Sequence, residues 1–259
     1  MSSKKEILVV IFGTSHQDTR EYTIEAIEQE IQRNFGEMEV RRAFTSGMIM
    51  EVLKKRDNLH IDTVDEALGK LAAEGYKKVF LQPTHIINGD EYEKIVNQVR
   101  RHECDFWDIK IGAPLLTASA DYDQVCHGLM KEVSLKEDEV LLLMGHGTGH
   151  FADSAYAALD YRFKALGYEN VFVGTVEGYP ELDTVLPLLA ARSPKKVILL
   201  PLMVVAGDHA KNDMAGEEDS WKTILEEQGY AVDCILKGLG EFPSIRELYV
   251  AHIKEEMYK

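Results

Sequence analysis

Two histidines and a glutamate recur at near-equal intervals in this chain, each behind an apolar run: His146, Glu177 and His209. His146 sits in the turn Gly145-His146-Gly147, straight after five apolar residues. Glu177 follows Val176 and precedes Gly178, and His209 closes the stretch that opens at Val197. The intervals are 31 and 32 residues, about one βαβ step. Equivalent strand ends of a parallel sheet share one edge, where open α/β proteins place their sites. The three residues are therefore expected to converge, and two imidazoles with a carboxylate make a metal-binding or acid–base set.

Each of the three also has an ordinary reading. A turn histidine is commonly solvated or capping, Glu177 could favour the positive end of a helix, and His209 could be a plain loop residue. Their joint placement is what favours a site. His150 follows His146 by four residues, but Gly147 and Gly149 argue against a helix there, leaving it a supporting role. Asp208 and Asp213 flank His209, and either could accept its second N–H. Met144, Met203 and Met214 could line an apolar slot or simply be core. His85 and Glu91 are further candidates to face the site. His16, His60, His102, His127 and His252 have no evident companions and are assigned nothing.

The elements that must position these groups alternate regularly. Strands are expected over 7–12, 39–43, 78–87, 109–113, 139–144, 170–175, 196–205 and 232–236. Amphipathic helices are expected over 21–35, 64–74, 91–101, 122–133, 154–166, 182–191, 220–228 and 244–257. That alternation signals α/β architecture with parallel sheets. The chain also repeats itself: residues 77–90 match 195–208 at an offset of 118, and 7–13 match 139–145 at 132. The extra residues fall in 46–57. The repeat predicts two similar lobes, each a four-stranded parallel sheet flanked by helices, with the site in the cleft between them. The lobes are placed at 1–120 and 121–259, the last helix packing back on the first lobe. Pro83 and Pro201 occupy matching positions, and each should bend its strand or end its pairing.

Composition narrows the partners. The chain has 259 residues and a formal charge of −15, which argues against nucleic acid, whose phosphates need clustered Lys and Arg. No apolar run approaches the ~20 residues of a membrane span. Three cysteines without paired spacing fit a reducing cytoplasm. The first residues lead into strand 7–12 without a cleavage site, so no signal peptide is read.

Several long motifs carry a family resemblance. Phe12-Gly13-Thr14-Ser15, the segment from Arg42 to Ile49, the segment from His85 to Lys94, Met144-Gly145-His146-Gly147, Val176-Glu177-Gly178-Tyr179-Pro180 and the stretch from Pro201 to Met214 closely resemble anaerobic, early-insertion sirohydrochlorin cobaltochelatases. The resemblance runs from Ile7 to near the C-terminus. It implies a single-subunit, ATP-independent chelatase related in fold to ferrochelatase, working in anaerobic cobalamin biosynthesis. It implies His146, Glu177 and His209 as metal ligands, His146 and Glu177 as catalytic, and His146 at the position proposed to take protons from the pyrroles. It implies Thr14, Ser15, His85, Glu91 and Met203 as substrate contacts. Some members carry an export signal and a haem-binding histidine near the N-terminus; their absence here implies a cytoplasmic, haem-free form.

The chemistry suits the residue types. Metal insertion strips water from the ion and removes two pyrrole protons. Imidazole and carboxylate hold Co²⁺, or equally Fe²⁺ or Ni²⁺, less tightly than thiolates would, and neutral imidazole accepts a proton near pH 7. No tightly bound cofactor is expected, and the lack of a G-x-x-x-x-G-K-[ST] motif agrees with ATP independence. The substrate carries many carboxylates, so a basic rim is expected, with Arg41, Arg42, Lys94 and Lys211 as candidates. A homo-oligomer is compatible with the sequence, which does not fix it.

Other classes weigh less. Gly145, Gly147 and Gly149 with Glu177 faintly suggest a dinucleotide fold, but the third glycine is one position early. An iron or nickel chelatase, a non-catalytic metal- or tetrapyrrole-binding protein and a two-histidine, one-carboxylate oxygenase are the remaining alternatives.

Overall fold

The computed structural model describes residues 4–257. Met1 to Ser3, which begin the lead into the first strand, and the last two residues, within the C-terminal lobe assignment, lie outside that range. Two compact units make up the chain: one runs up to Thr117 and resumes at Arg246, and the other is Ala118–Ile245.

The first unit holds β1 (Lys5–Ile11), β2 (Glu39–Phe44), β3 (Lys78–Pro83) and β4 (Asp108–Ile111), all parallel in the order β2-β1-β3-β4. Apart from Lys5, every residue of β1 is buried, as expected of a central strand covered on both faces. Leu8, Val10 and Leu81 pack with Leu68, Leu71, Ile95 and Val99 of the helices Val64–Ala73 and Asp90–His102. Thr63 and Glu66 start the first of these with a reciprocal capping box, satisfying two otherwise unpaired amides.

The second unit repeats the plan with β5 (Glu139–Gly145), β6 (Val171–Thr175), β7 (Lys196–Pro201) and β8 (Ala231–Cys234) in the order β6-β5-β7-β8. β5 therefore lies between β6 and β7, and the chain crosses from one side of it to the other. Such a reversal opens the crevice in which α/β sheets bind ligands. Leu142, Met144, Phe172, Val197 and Leu199 form the core with Val185, Leu189, Trp221 and Leu225.

All eight expected strands are present, and β3 and β7 both stop at their prolines. Two features differ from the sequence reading. Residues within 46–57, read as an extra segment, form the helix Gly47–Asp57, capped by Ser46 and closed by left-handed Asn58. Leu53 is its only buried residue, so it has no apolar stripe to reveal it. The spacing puts His209 at a strand end, but β7 finishes at Pro201, well before it. His209 instead starts the π-helical turn Ala210–Met214.

Candidate metal centre

The sheet order explains why three distant residues meet. His146 directly follows central β5, and the ladder to the β6 side continues past the strands. Val176 N donates to Gly145 O at 3.0 Å and Glu177 N to His146 O at 2.8 Å. On the β7 side Leu202 N donates to Met144 O at 2.8 Å. The His146 and His209 rings meet edge to face, 4.6 Å between centroids. Glu177 Oε2 lies 3.9 Å from His146 Nδ1. Glu177 is five residues short of the helix Leu182–Arg192, which removes its reading as a helix-start carboxylate.

Both imidazoles are oriented by their Nδ1 atoms. His146 Nδ1 lies 2.8 Å from Gly147 O, and a carbonyl can only accept, so Nδ1 carries the proton and Nε2 keeps its lone pair. His209 Nδ1 lies 2.7 Å from Asp213 Oδ2, which fixes the same tautomer. Asp213, one of the two flanking acids, bonds to this ring, an arrangement that aims and strengthens a ligating histidine. Side-chain exposures of 43% for His146, 59% for Glu177 and 38% for His209 keep the donors open to an incoming ion.

Glycines make this corner possible. Gly147 has φ +81°, and a Cβ there would fall 2.4 Å from the Gly178 amide nitrogen. At Gly145 a Cβ would meet the Tyr156 ring at 2.5 Å. Burial pushes the Tyr156 hydroxyl up to about 12, and it hydrogen-bonds the Gly147 backbone.

The remaining expected residues are distributed over both units. Thr14 is buried and Ser15 half-buried, just after β1. Their carbonyls accept from Arg20 at 3.5 and 3.2 Å, and that of Ser15 also from Arg56. Both ring nitrogens of His85 are shielded and lack a hydrogen-bond partner, as does Glu91 Oε2. Burial pulls the His85 imidazole down to about 4, against the opposing pull of Glu91. Glu91 Oε1 is held by Lys94. Met203 is half-buried against the second core, while Met144 and Met214 are fully inside it. His150 Nδ1 accepts from Ala152 N at 3.2 Å.

Several expectations need correction. Arg41 and Arg42 do not form a basic rim. They lie within β2, beside Leu8 and Val9 of β1, short of the site edge. Arg41 is clamped by Glu6, Glu39 and Glu74, and Arg42 by Glu28. Lys94 is paired with Glu91, and Lys211 lies in the turn after His209. Nor do the unassigned histidines lack companions. His60 pairs with Asp62, His102 with Asp65 and Asp105, and His127 with Tyr168. His252 is buried, with Nδ1 3.3 Å from Ala113 O. Asp62 and Asp105 are near neighbours in sequence, whereas Asp65, Tyr168 and Ala113 are brought in from other elements by the fold.

Among the described residues, only His60, Asp62 and Glu66 bring one donor atom each within 4.8 Å of one another. Two of the three are already engaged: Asp62 holds Lys70 at 2.6 and 2.8 Å, and Glu66 closes the Thr63 capping box. His146, Glu177 and His209 do not meet that distance, and Glu177 carries the most exposed side chain of the three.

Two four-stranded parallel α/β sheets make up this fold, and the second carries the edge constellation. The fold matches that of the protein described as "SirB from Bacillus subtilis with Fe3+", with a TM-score of 0.64, 12% identity and coverage of 97% of this chain and 95% of that one. It also matches CbiX, described as the terminal enzyme of siroheme biosynthesis in denitrifying bacteria, with a TM-score of 0.56, 18% identity and coverage of 96% and 98%. The family model described as cobalt chelatase (CbiK) matches residues 5–258, and the chain belongs to that family. The sirohydrochlorin cobaltochelatase of Salmonella typhimurium is 45% identical over 98% of this chain and 97% of its own length. Sirohydrochlorin cobaltochelatase CbiKC of Nitratidesulfovibrio vulgaris is 35% identical over 97% and 90%.

Proposed function

We propose that this protein inserts Co²⁺ into sirohydrochlorin without ATP. The observation that carries this reading is the 45% identity, along nearly the whole of both chains, to a sirohydrochlorin cobaltochelatase. In the proposed mechanism Co²⁺ exchanges water for His146 Nε2, His209 Nε2 and a Glu177 oxygen. All three are exchangeable donors, so the ion can be passed on. The pyrrole nitrogens then displace these ligands while their two protons leave. The His146 Nε2 lone pair is the proposed acceptor for the first, and the mobile Glu177 carboxylate conveys protons onward to solvent. Asp213 supports the positive charge that His209 takes on when it releases the metal and protonates.

Thr14, Ser15, His85, Glu91 and Met203 are carried as proposed tetrapyrrole contacts, supported by their motifs. A cytoplasmic setting fits the three free cysteines, Cys104, Cys126 and Cys234. Among the described residues no helix is long and apolar enough to cross a membrane. The test is to incubate the purified protein with sirohydrochlorin and Co²⁺ and follow the absorbance change with and without ATP. The reading expects equal turnover in both arms. It fails if turnover does not exceed the protein-free rate. Parallel runs with Fe²⁺ and Ni²⁺ rank the metals.

A further inference from the structure

Asp153 immediately precedes the helix Ser154–Ala165. An acid at that place usually accepts a bond from its own helix's first amides. Asp153 makes no such bond. Its carboxylate turns outward instead, with Oδ1 accepting from Thr148 N at 2.9 Å and Oδ2 from Tyr179 N at 2.6 Å. Thr148 lies two residues beyond His146, and Tyr179 two beyond Glu177. One side chain therefore grips the loop after β5 and the loop after β6 at matching distances from their functional groups.

The surroundings are shaped to admit that carboxylate. A Cβ on Gly178 would lie 2.2 Å from Asp153 Oδ1, so any side chain there would expel it. The bond from Glu177 N to His146 O closes the other side of the same small ring of contacts. Bonds to a charged acceptor are about twice as strong as neutral ones, and two of them resist independent movement of the loops.

We propose that Asp153 is a positioning residue that sets the separation of His146 and Glu177, and through it the affinity of the site for a divalent metal. The proposal rests on the reading of His146 and Glu177 as metal-holding groups. It makes Asp153 a determinant of metal binding without contact between Asp153 and the ion. Loss of one outer partner of a metal site typically costs 10–100-fold in affinity. Asn keeps the shape but turns one acceptor into a donor facing an amide, so D153N should fall between wild type and D153A.

The experiment titrates Co²⁺ alone into the purified full chain, following its d–d absorption, for wild type, D153N, D153A, H146A, E177A and the D153A/E177A double variant. Thermal melting without metal checks folding, and D153N stands in if D153A does not fold. The expected result is a 10–100-fold weaker Kd in D153A, a smaller loss in D153N, and little further loss when D153A is added to E177A, because coupled residues are non-additive. Wild-type affinity in D153A or D153N, alongside a loss in H146A, overturns the proposal and leaves the metal site standing. So does a D153A loss that is fully additive with E177A, which would mark a general effect on the fold. Unchanged affinity in H146A and E177A overturns the metal-site reading and this proposal together.

Discussion

The two units share a sheet order and a repeated sequence, yet they treat their polar edge residues in opposite ways. In the second, Glu177 is exposed and His146 and His209 half-buried, and the two imidazoles are turned so that Nδ1, not Nε2, meets the protein acceptor. In the first, the corresponding edge shows Thr14 and Ser15 with their carbonyls held by Arg20 and Arg56. Its histidine, His85, is shielded at both nitrogens, and Glu91, which falls opposite His209 in the repeat, is tied to Lys94. The backbone plan alone therefore does not set the chemistry of the edge. What differs is solvent access and a partner at Nδ1, and these come from the loops beyond the strands.

The largest effect that could break this comparison is at the free imidazole. H146A should lower chelatase turnover by about 100-fold or more, the usual contribution of a positioned proton acceptor and ligand. T14A, the replacement at its repeat counterpart, should cost less than about 10-fold. Initial rates of cobalt insertion measure both. Equal losses would mean that the chemistry is shared between the halves.

A second contrast lies in the turn itself. Gly147 corresponds to Ser15 in the repeat, and only Gly147 has both a positive φ and a neighbouring backbone in the way. G147A should therefore destabilise by about 2 kcal/mol or more and displace Glu177. S15A should stay within about 0.5 kcal/mol. Urea unfolding of the two variants decides, and a G147A loss no larger than that of S15A would remove the close approach as a constraint.

Smaller again is the effect of the ring partner. D213N keeps the size of the side chain but weakens the bond that orients His209, and Co²⁺ affinity should drop by about 10-fold. Titration by calorimetry gives the value. An unchanged Kd would show that packing, without Asp213, orients the ring.

Much of this arrangement could be read from residues alone. The eight strands follow from short β-rich runs bounded by turns, and the placement of His146 and Glu177 just beyond neighbouring strands follows from their spacing. The π-helical turn at His209 was not legible, because Val204 and Val205 continue the apolar run of β7 after the ladder has ended at Pro201. The fate of Arg41 and Arg42 was not legible either. Their carboxylate partners Glu6, Glu74 and Glu28 come from other elements, brought alongside β2 only by the fold. Asp153 looks like any helix-start acid in sequence, and only the geometry shows it reaching two loops.

The last prediction tests whether burial separates His85 from the second unit's histidines. Its imidazole titrates near 4 in the folded protein and near ~6.5 in the unfolded chain. Between those values the unfolded chain binds more protons, so stability is full above about pH 6.5 and declines as pH falls toward 4. The loss across that window is about 3 kcal/mol. Replacing His85 with Gln removes the titration while keeping a polar side chain, so the variant's stability should change less from pH 7.5 to pH 4.5. Urea midpoints at the two pH values measure the slope. If H85Q keeps the wild-type slope, His85 takes up its proton without hindrance, and shielding is not what distinguishes the two halves.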